Sequence, residues 1–564
     1  MAEEVSYRLR RDPVDGFQAY QLYAKESYWS YEDTLERLLH SEILEFLRAH
    51  REESSFDGLP RAAVEVVVGG IRRVERFKGE NRFQDGLDLA RHIRTQCADL
   101  FEQAGRLSEL QLRVLEAELL TYLGQDLEGA ERLLRDTLWD LEEIRPPAGS
   151  LEAWQRDVLR AEAYNVLGYC YRNMGWFQRA SEAYRRAIRE WRALEQKERD
   201  ELRKMALRAQ HANTLNNLGW ALAELGRFAR AAQACEDALE MRVALGPAAP
   251  VALSLNTFAM VLVRDDKPHR AHILAGRALG IFRDTGIPRG VGLASIALAE
   301  ALRRRSAVPF LYAPEEAAEL LRQAARHAQE AVEIFGPGGP VPERSRLVEA
   351  LIERGCVYRQ WAWLRASAPY KSDDPSAEDL ASWSEQDLRE AMEVAGETFP
   401  YRRLDAHVNL AWLHYYMRQH EMAEREARAA LDSVPEEYRL EHRPPDPGRL
   451  PYTFYWFLQG KTYLVLGELR WRKFAERQDP EALRECATYY TAALAANELY
   501  APDFRDLRRA LHRIYIRVRG LNDEEFRIFH EGIARAVEQY RLKSPTLLDR
   551  ALEEWDFPVR SAAA

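Results

Sequence analysis

Ala161-Glu-Ala-Tyr-Asn-Val-Leu-Gly-Tyr-Cys-Tyr-Arg-Asn-Met-Gly-Trp-Phe-Gln-Arg-Ala-Ser-Glu-Ala-Tyr-Arg-Arg-Ala187 is the stretch that decides the fold. Gly168 and Ala180 are small, while Tyr164, Leu167, Tyr171 and Tyr184 are bulky, at spacings of helix faces. Two antiparallel helices can approach closely only where side chains are small, and the larger residues must fill the space around that contact.

The frame recurs from Ala212, with Leu215, Leu218-Gly219, Leu222, Gly226, Phe228, Ala231 and Ala238, and again from Ala252, with Phe258-Ala259, Leu262, Ala271 and Ala278. Looser copies start at Gly292, Val348, Leu404 and Thr453, the fifth with Arg354 where an apolar residue is expected and a second helix starting near Trp383. Spacing and composition of these units resemble the tetratricopeptide repeat (TPR), and Ala238 to Asn256 is similar to the longer variant of kinesin light chains and many bacterial regulators. The resemblance covers roughly residues 161–500. It implies an all-α fold: a right-handed superhelical solenoid of antiparallel helix pairs, whose first helices line a concave groove. Successive starts lie further apart than the 34 residues of the minimal unit, so long second helices and insertions absorb the excess.

Outside that region the reading is coarser. Residues 1–60, with the aromatic run Ala19 to Tyr31, read as a helical N-terminal cap or docking segment. Residues 61–150 read as degenerate TPR-like helix pairs, 161–340 as the array with its groove, 341–500 as looser repeats with insertions, and 501–564 as C-terminal capping helices. Asn522 with Glu525 gives the second capping helix a capping-box start.

Composition agrees with this class. The chain has 564 residues, 46% hydrophobic and 30% charged, with 30 Gly and 25 Pro, which favours helices over strands and excludes a disordered tail. Net charge is -10, so the molecule as a whole repels nucleic acid and anionic membrane, and no nucleic-acid or membrane partner is expected. Arg accounts for 71 of the 80 basic residues, a bias read as codon usage. Five scattered cysteines without a CxxC pair read as reduced, buried thiols, and the start carries no secretory signal, so a cytoplasmic, bacterial protein is expected.

Catalytic motifs are weak. Gly460-Lys461-Thr462 ends like a phosphate loop, but Tyr455 stands where the motif needs glycine and the repeat frame puts it mid-helix. His269 and His272, and His407, His414 and His420, lack the further ligands of a metal set. Arg508, Arg509, Arg513, Arg517 and Arg519 read as a solvated helix face. No enzyme, metal, cofactor or small-molecule ligand is therefore expected.

The resemblance places positions 2, 5, 9, 12 and 13 of each first helix on the groove. Position 5 is Asn165, Asn216 and Asn256 in turn, and position 9 is Tyr169, Trp220 and Met260. An Asn amide can pair with both the N–H and C=O of an extended peptide, with the flanking aromatic or Met covering its side chains. Arg172 and Asn173 at positions 12 and 13 add an anion contact. The expected function is a scaffold or adaptor binding a protein partner or peptide along this track. The alternative is a regulatory subunit, inhibitor or protease substrate in a bacterial signalling or defence system, docking through insertions at 306–314, 366–382 and 436–452.

Overall fold

The computed structural model describes residues 1–30, 33–100, 105–308, 311–368, 370, 373–442, 454–500 and 505–555. It is a helical solenoid, as the repeat frame requires. Helices α1 (Ala2–Arg11), α2 (Pro13–Ser30) and α3 (Asp33–Ala49) pack on one another and precede a small hairpin, β1 (Ser55–Phe56) with β2 (Leu59–Pro60). Asp57-Gly58 makes that turn with both φ angles positive, the conformation such hairpins need. Helix α4 (Arg61–Glu65) continues through a π-turn at Val66–Ile71 into α5 (Arg72–Gly79), followed by α6 (Phe83–Gln96), α7 (Arg106–Leu123) and α8 (Leu127–Glu143).

Seven antiparallel pairs then stack in chain order. They are α9 (Leu151–Asn173) with α10 (Phe177–Lys197), α11 (Glu201–Glu224) with α12 (Phe228–Leu245), α13 (Ala248–Arg264) with α14 (Pro268–Asp284), and α15 (Pro288–Ser306) with α16 (Pro314–Phe335). After them come α17 (Arg344–Ser367) with α18 (Ala377–Ala395), α19 (Pro400–Tyr416) with α20 (His420–Asp432), and α21 (Phe454–Arg477) with α22 (Pro480–Tyr500). Each odd-numbered helix from α9 to α19 also touches the next odd-numbered one, forming the inner wall of the superhelix. Helices α23 (Arg505–Val518), α24 (Asp523–Gln539) and α25 (Leu547–Glu554) complete the chain.

Within each pair the small residue sits where the sequence frame puts it. A Cβ on Gly168 would lie 2.5 Å from the Tyr184 ring, one on Gly219 2.5 Å from Cys235 Sγ, and one on Gly467 2.5 Å from the Tyr490 ring. Helix α18 starts earlier than Trp383, at Ala377, because Ser376 and Asp379 form a capping box there. Arg354, the polar intruder, is neutralised by two hydrogen bonds to Asp387 of α18, at 2.8 and 2.5 Å. Asn522 caps α24 by accepting from Glu525 N at 3.0 Å.

Turns inside the pairs share one device. Gly175, Gly226, Asp266 and Arg418 all have φ between 53° and 78°. The following N–H donates to the carbonyl five residues back: Trp176 to Tyr171 at 2.8 Å, Arg227 to Leu222 at 2.9 Å, Lys267 to Leu262 and Gln419 to His414 at 2.8 Å. This left-handed cap satisfies the last carbonyls of the first helix and reverses the chain in three residues.

The array also closes on itself. Phe177 of the first pair meets Tyr401 of α19 and Phe454 of α21, ring centroids 5.7 Å apart in both cases. Tyr500 Oη donates to Ala223 O at 3.4 Å across 277 residues of sequence. Between these contacts runs a ladder of buried charges from α15 to α19. Arg289 pairs with Glu343 at 2.8 Å, Glu343 with Arg346 at 3.4 Å, Arg346 with Glu349 at 2.7 Å, and Glu349 with Arg402 at 3.3 Å. Burial would raise the Glu349 carboxyl, but Arg402, Arg346 and Arg172 outweigh it and hold it at about 2.

Gly276→Ala, on an open face of α14, should stabilise by about 0.5–1 kcal/mol, whereas Gly168→Leu should destabilise by about 1–3 kcal/mol, read as opposite shifts of the urea midpoint. Glu349 titrates near its ordinary 4.5 when unfolded and about 2 when folded. Its contribution, on the order of 3 kcal/mol, is complete above pH 4.5 and lost as pH falls towards 2. Glu349→Gln should flatten that acid limb and cost about 3–5 kcal/mol at pH 7, because it takes the paired carboxylate from Arg402 and leaves Arg346 with Glu343 alone. Urea midpoints measured from pH 2 to 7 check both.

Candidate functional site

Closure decides which groove residues remain accessible. Of the expected track, Asn216 is 3% exposed, with Nδ2 donating to Thr257 Oγ1 at 2.9 Å, and Asn256 and Met260 are also buried. Trp220 is 4% exposed beneath the Arg172 guanidinium, 3.5 Å from its ring centroid, and beside Phe177. Burial and the nearby Arg346 hold the Arg172 guanidinium below its ordinary value. Asn173 is spent on the neighbouring pair, donating to Thr121 O at 2.9 Å. Tyr169 is buried beside Tyr122, at 5.3 Å between centroids. These seven side chains form the wall, whereas Asn165 lines an open cavity.

That cavity, about 400 Å³, lies between α5–α7 and the inner faces of α9 and α11. Five side-chain amides converge on it: Asn81, Gln111, Asn165, Gln210 and Asn213. Asn165 Oδ1 accepts from Asn217 at 3.2 Å and Asn213 Oδ1 from Arg242 at 3.1 Å, which leaves both amide NH2 groups unused among the described residues. Charged groups frame the amides. Lys78 pairs with Glu118 at 2.8 Å, Lys25 with Glu162 at 2.6 Å, and burial pushes the Glu162 carboxyl up. Arg289, the first rung of the charge ladder, reaches this wall.

The ladder's other end opens on a second cavity of about 320 Å³, enclosed by α13, α15, α17, α19, α21 and α23. Eight cationic and four carboxylate side chains line it. Arg264 bridges Glu224 and Glu300 at 3.3 and 3.0 Å, and Arg303 grips Glu353 through two bonds at 2.6 and 2.9 Å. Burial opposes ionisation of Glu300, yet Arg264, Arg304 and Arg303 bring it to about 2. The sequence reading missed this cavity, although its own rule identifies the lining. Positions 9, 12 and 13 counted from Gly292 are Glu300, Arg303 and Arg304, and positions 2, 5, 9, 12 and 13 from Val348 are Glu349, Ile352, Cys356, Arg359 and Gln360.

Other singled-out residues also find places. Gly460 is mid-helix in α21, where it gives room to the Asn497 amide, and Lys461 lines the second cavity. Of the basic run, Arg508 and Arg519 are exposed as expected, but the other three arginines have partners. Arg509 pairs with Asp266 at 3.3 Å, Arg513 lies 5.3 Å over the Trp412 ring, and Arg517 pairs with Glu468 at 3.2 Å, because the helix closes the cavity. Cys170, Cys235, Cys356 and Cys486 are buried free thiols. His407 pairs with Glu426 at 2.8 Å, and among the described residues no three potential ligands gather as a metal cluster. No described helix is long and apolar enough to cross a membrane. Of the three insertions, 309–310, 369, 371–372 and 443–452 lie outside the described residues.

Comparison with known proteins identifies the repeat. Tetratricopeptide repeat profiles match residues 161–190 and 211–248. No curated protein matches the sequence. Among solved structures, a Rap protein complexed with competence and sporulation factor is 14% identical with a TM-score of 0.41, the match covering 77% of this chain and 99% of that one. NprR in complex with its cognate peptide NprX is 13% identical, TM-score 0.38, covering 72% and 97%. The human IFIT1 dimer with m7Gppp-AAAA is 15% identical, TM-score 0.37, covering 80% and 90%. The chain therefore carries tetratricopeptide repeats at residues 161–190 and 211–248, set within a solenoid of antiparallel helix pairs.

Proposed function

We propose that the protein is a non-catalytic interaction scaffold that holds an extended segment of a partner protein in the amide-lined cavity between α5–α7 and the first two helix pairs. The repeat fold supports a scaffold. The observation that carries the finer reading is the convergence of Asn81, Gln111, Asn165, Gln210 and Asn213 on one recess of about 400 Å³. An extended backbone offers a donor and an acceptor at every residue, and side-chain amides answer both. Tyr122 on the same wall provides apolar cover for the segment's side chains.

The buried part of the expected track has a supporting role in this reading. Asn216, Trp220 and Asn256 fix the position of α11 and α13 behind the recess rather than meeting the segment themselves. Replacing them is expected to loosen the fold, so they are poor probes of binding.

Asn165→Ala combined with Asn213→Ala should weaken binding about tenfold, as two hydrogen bonds of about 0.5–1.5 kcal/mol each are lost, with the helical circular dichroism unchanged. The measurement uses peptides selected from a random displayed library on the full chain. Amide exchange should slow on bound peptide around Leu159 to Val166 and Gln210 to Asn213. Selected peptides that bind the double variant as tightly as the original would refute the assignment.

A further inference from the structure

We propose that the second cavity and the recess outside it bind a nucleoside phosphate, with the base against the Trp412–Tyr416 wall and the phosphate on Arg359 and Arg513. Net charge of the chain is -10, but twice as many cations as carboxylates line this cavity. Arg264, Arg303, Arg304 and Arg402 each have a Glu partner. Arg359 and Arg513 lie within ion-pair distance of no described carboxylate. Arg359 donates to Asn409 Oδ1 at 2.6 Å and leaves its buried Nε unsatisfied. Both guanidinium groups are half-buried, and one partly withdrawn from water without a counter-ion gains when an anion binds.

A second observation selects among anions. Trp412 and Tyr416 lie 5.5 Å apart at 34°, and Trp363, 44% exposed, continues the aromatic wall 6.0 Å from Tyr416. Trp363 and Tyr416 border a recess of about 1000 Å³, Trp412 lines the inner cavity behind it, and the two spaces share Arg359, Tyr416 and Arg513. Flat aromatic faces beside guanidinium groups suit a base carrying phosphate, since every base has a face to stack.

A third concerns Asn497. Its side chain is 4% exposed, rests on Gly460, lines the cavity, and its Oδ1 has no hydrogen-bond partner. That acceptor calls for a donor, which a base N–H supplies and a phosphate or carboxylate does not. An acidic peptide meets the first requirement and leaves the aromatic wall unused. A long polyanion is repelled by the acidic surface as a whole, so the ligand is a free nucleotide or the end of a single strand.

Calorimetric titration of the full chain tests this with AMP, ATP, inorganic phosphate, a 5′-phosphorylated RNA hexamer and an acidic hexapeptide. We expect a nucleotide or the hexamer to bind at least tenfold more tightly than phosphate or peptide. Arg359→Ala should weaken that binding at least tenfold, and Trp363→Ala, at a solvent-facing position that tolerates truncation, three- to tenfold. Tighter binding of the hexamer than of AMP and ATP identifies a strand end as the source, and the reverse a free nucleotide. No binding of either at millimolar concentration, an acidic peptide that binds equally well, or a Trp363→Ala variant indistinguishable from the original would overturn the proposal.

Discussion

A carboxylate buried between two guanidinium groups can neither be removed nor moved without leaving charge unpaired in a medium that solvates it poorly. Glu343 and Glu349 are both held this way, and together with Arg289, Arg346 and Arg402 they bind the inner edges of α15, α17 and α19 into one wall. In an open solenoid each repeat answers only to its neighbours. Here the wall faces side chains from the first pair, including Arg172 and Phe177, and the superhelix is drawn shut around them. Both cavities are what this closure leaves unfilled, one at each end of the ladder.

Their chemistry differs because the ladder's ends differ. Towards α7 and α9 the wall presents amides with a fringe of paired Lys and Glu; towards α21 and α23 it presents arginines and aromatic rings. A surface average conceals this. The net charge of -10 describes what a distant polyanion meets, whereas a ligand inside a recess meets the few groups that line it.

Helix pairs were legible in the sequence because their determinants are local. Gly168 and Tyr184, or Gly219 and Cys235, are 16 residues apart, and the 3.6-residue period carries the rest. Groove contents were not, because Tyr401, Phe454 and Tyr500 reach the early repeats from more than 200 residues away, and no periodicity within a repeat encodes that contact. Asn165 escapes this filling and Asn216 does not, although they hold the same position. The second cavity was hidden differently. Its arginines stand at groove positions of the later repeats, but among 71 Arg a functional cluster does not stand out by composition.

Asp266 shows how a local cap and a distant tie come to share one residue. It occupies the left-handed turn position that glycine fills in the first two pairs, and its Oδ2 meets Arg509 of α23 at 3.3 Å. Glycine would relax the backbone there and release the last helix that covers the cavity, while aspartate accepts a less favoured φ and keeps it. The third repeat is thus not the best version of itself but a compromise between its own turn and the molecule's seam, and repeats of this array are not interchangeable parts.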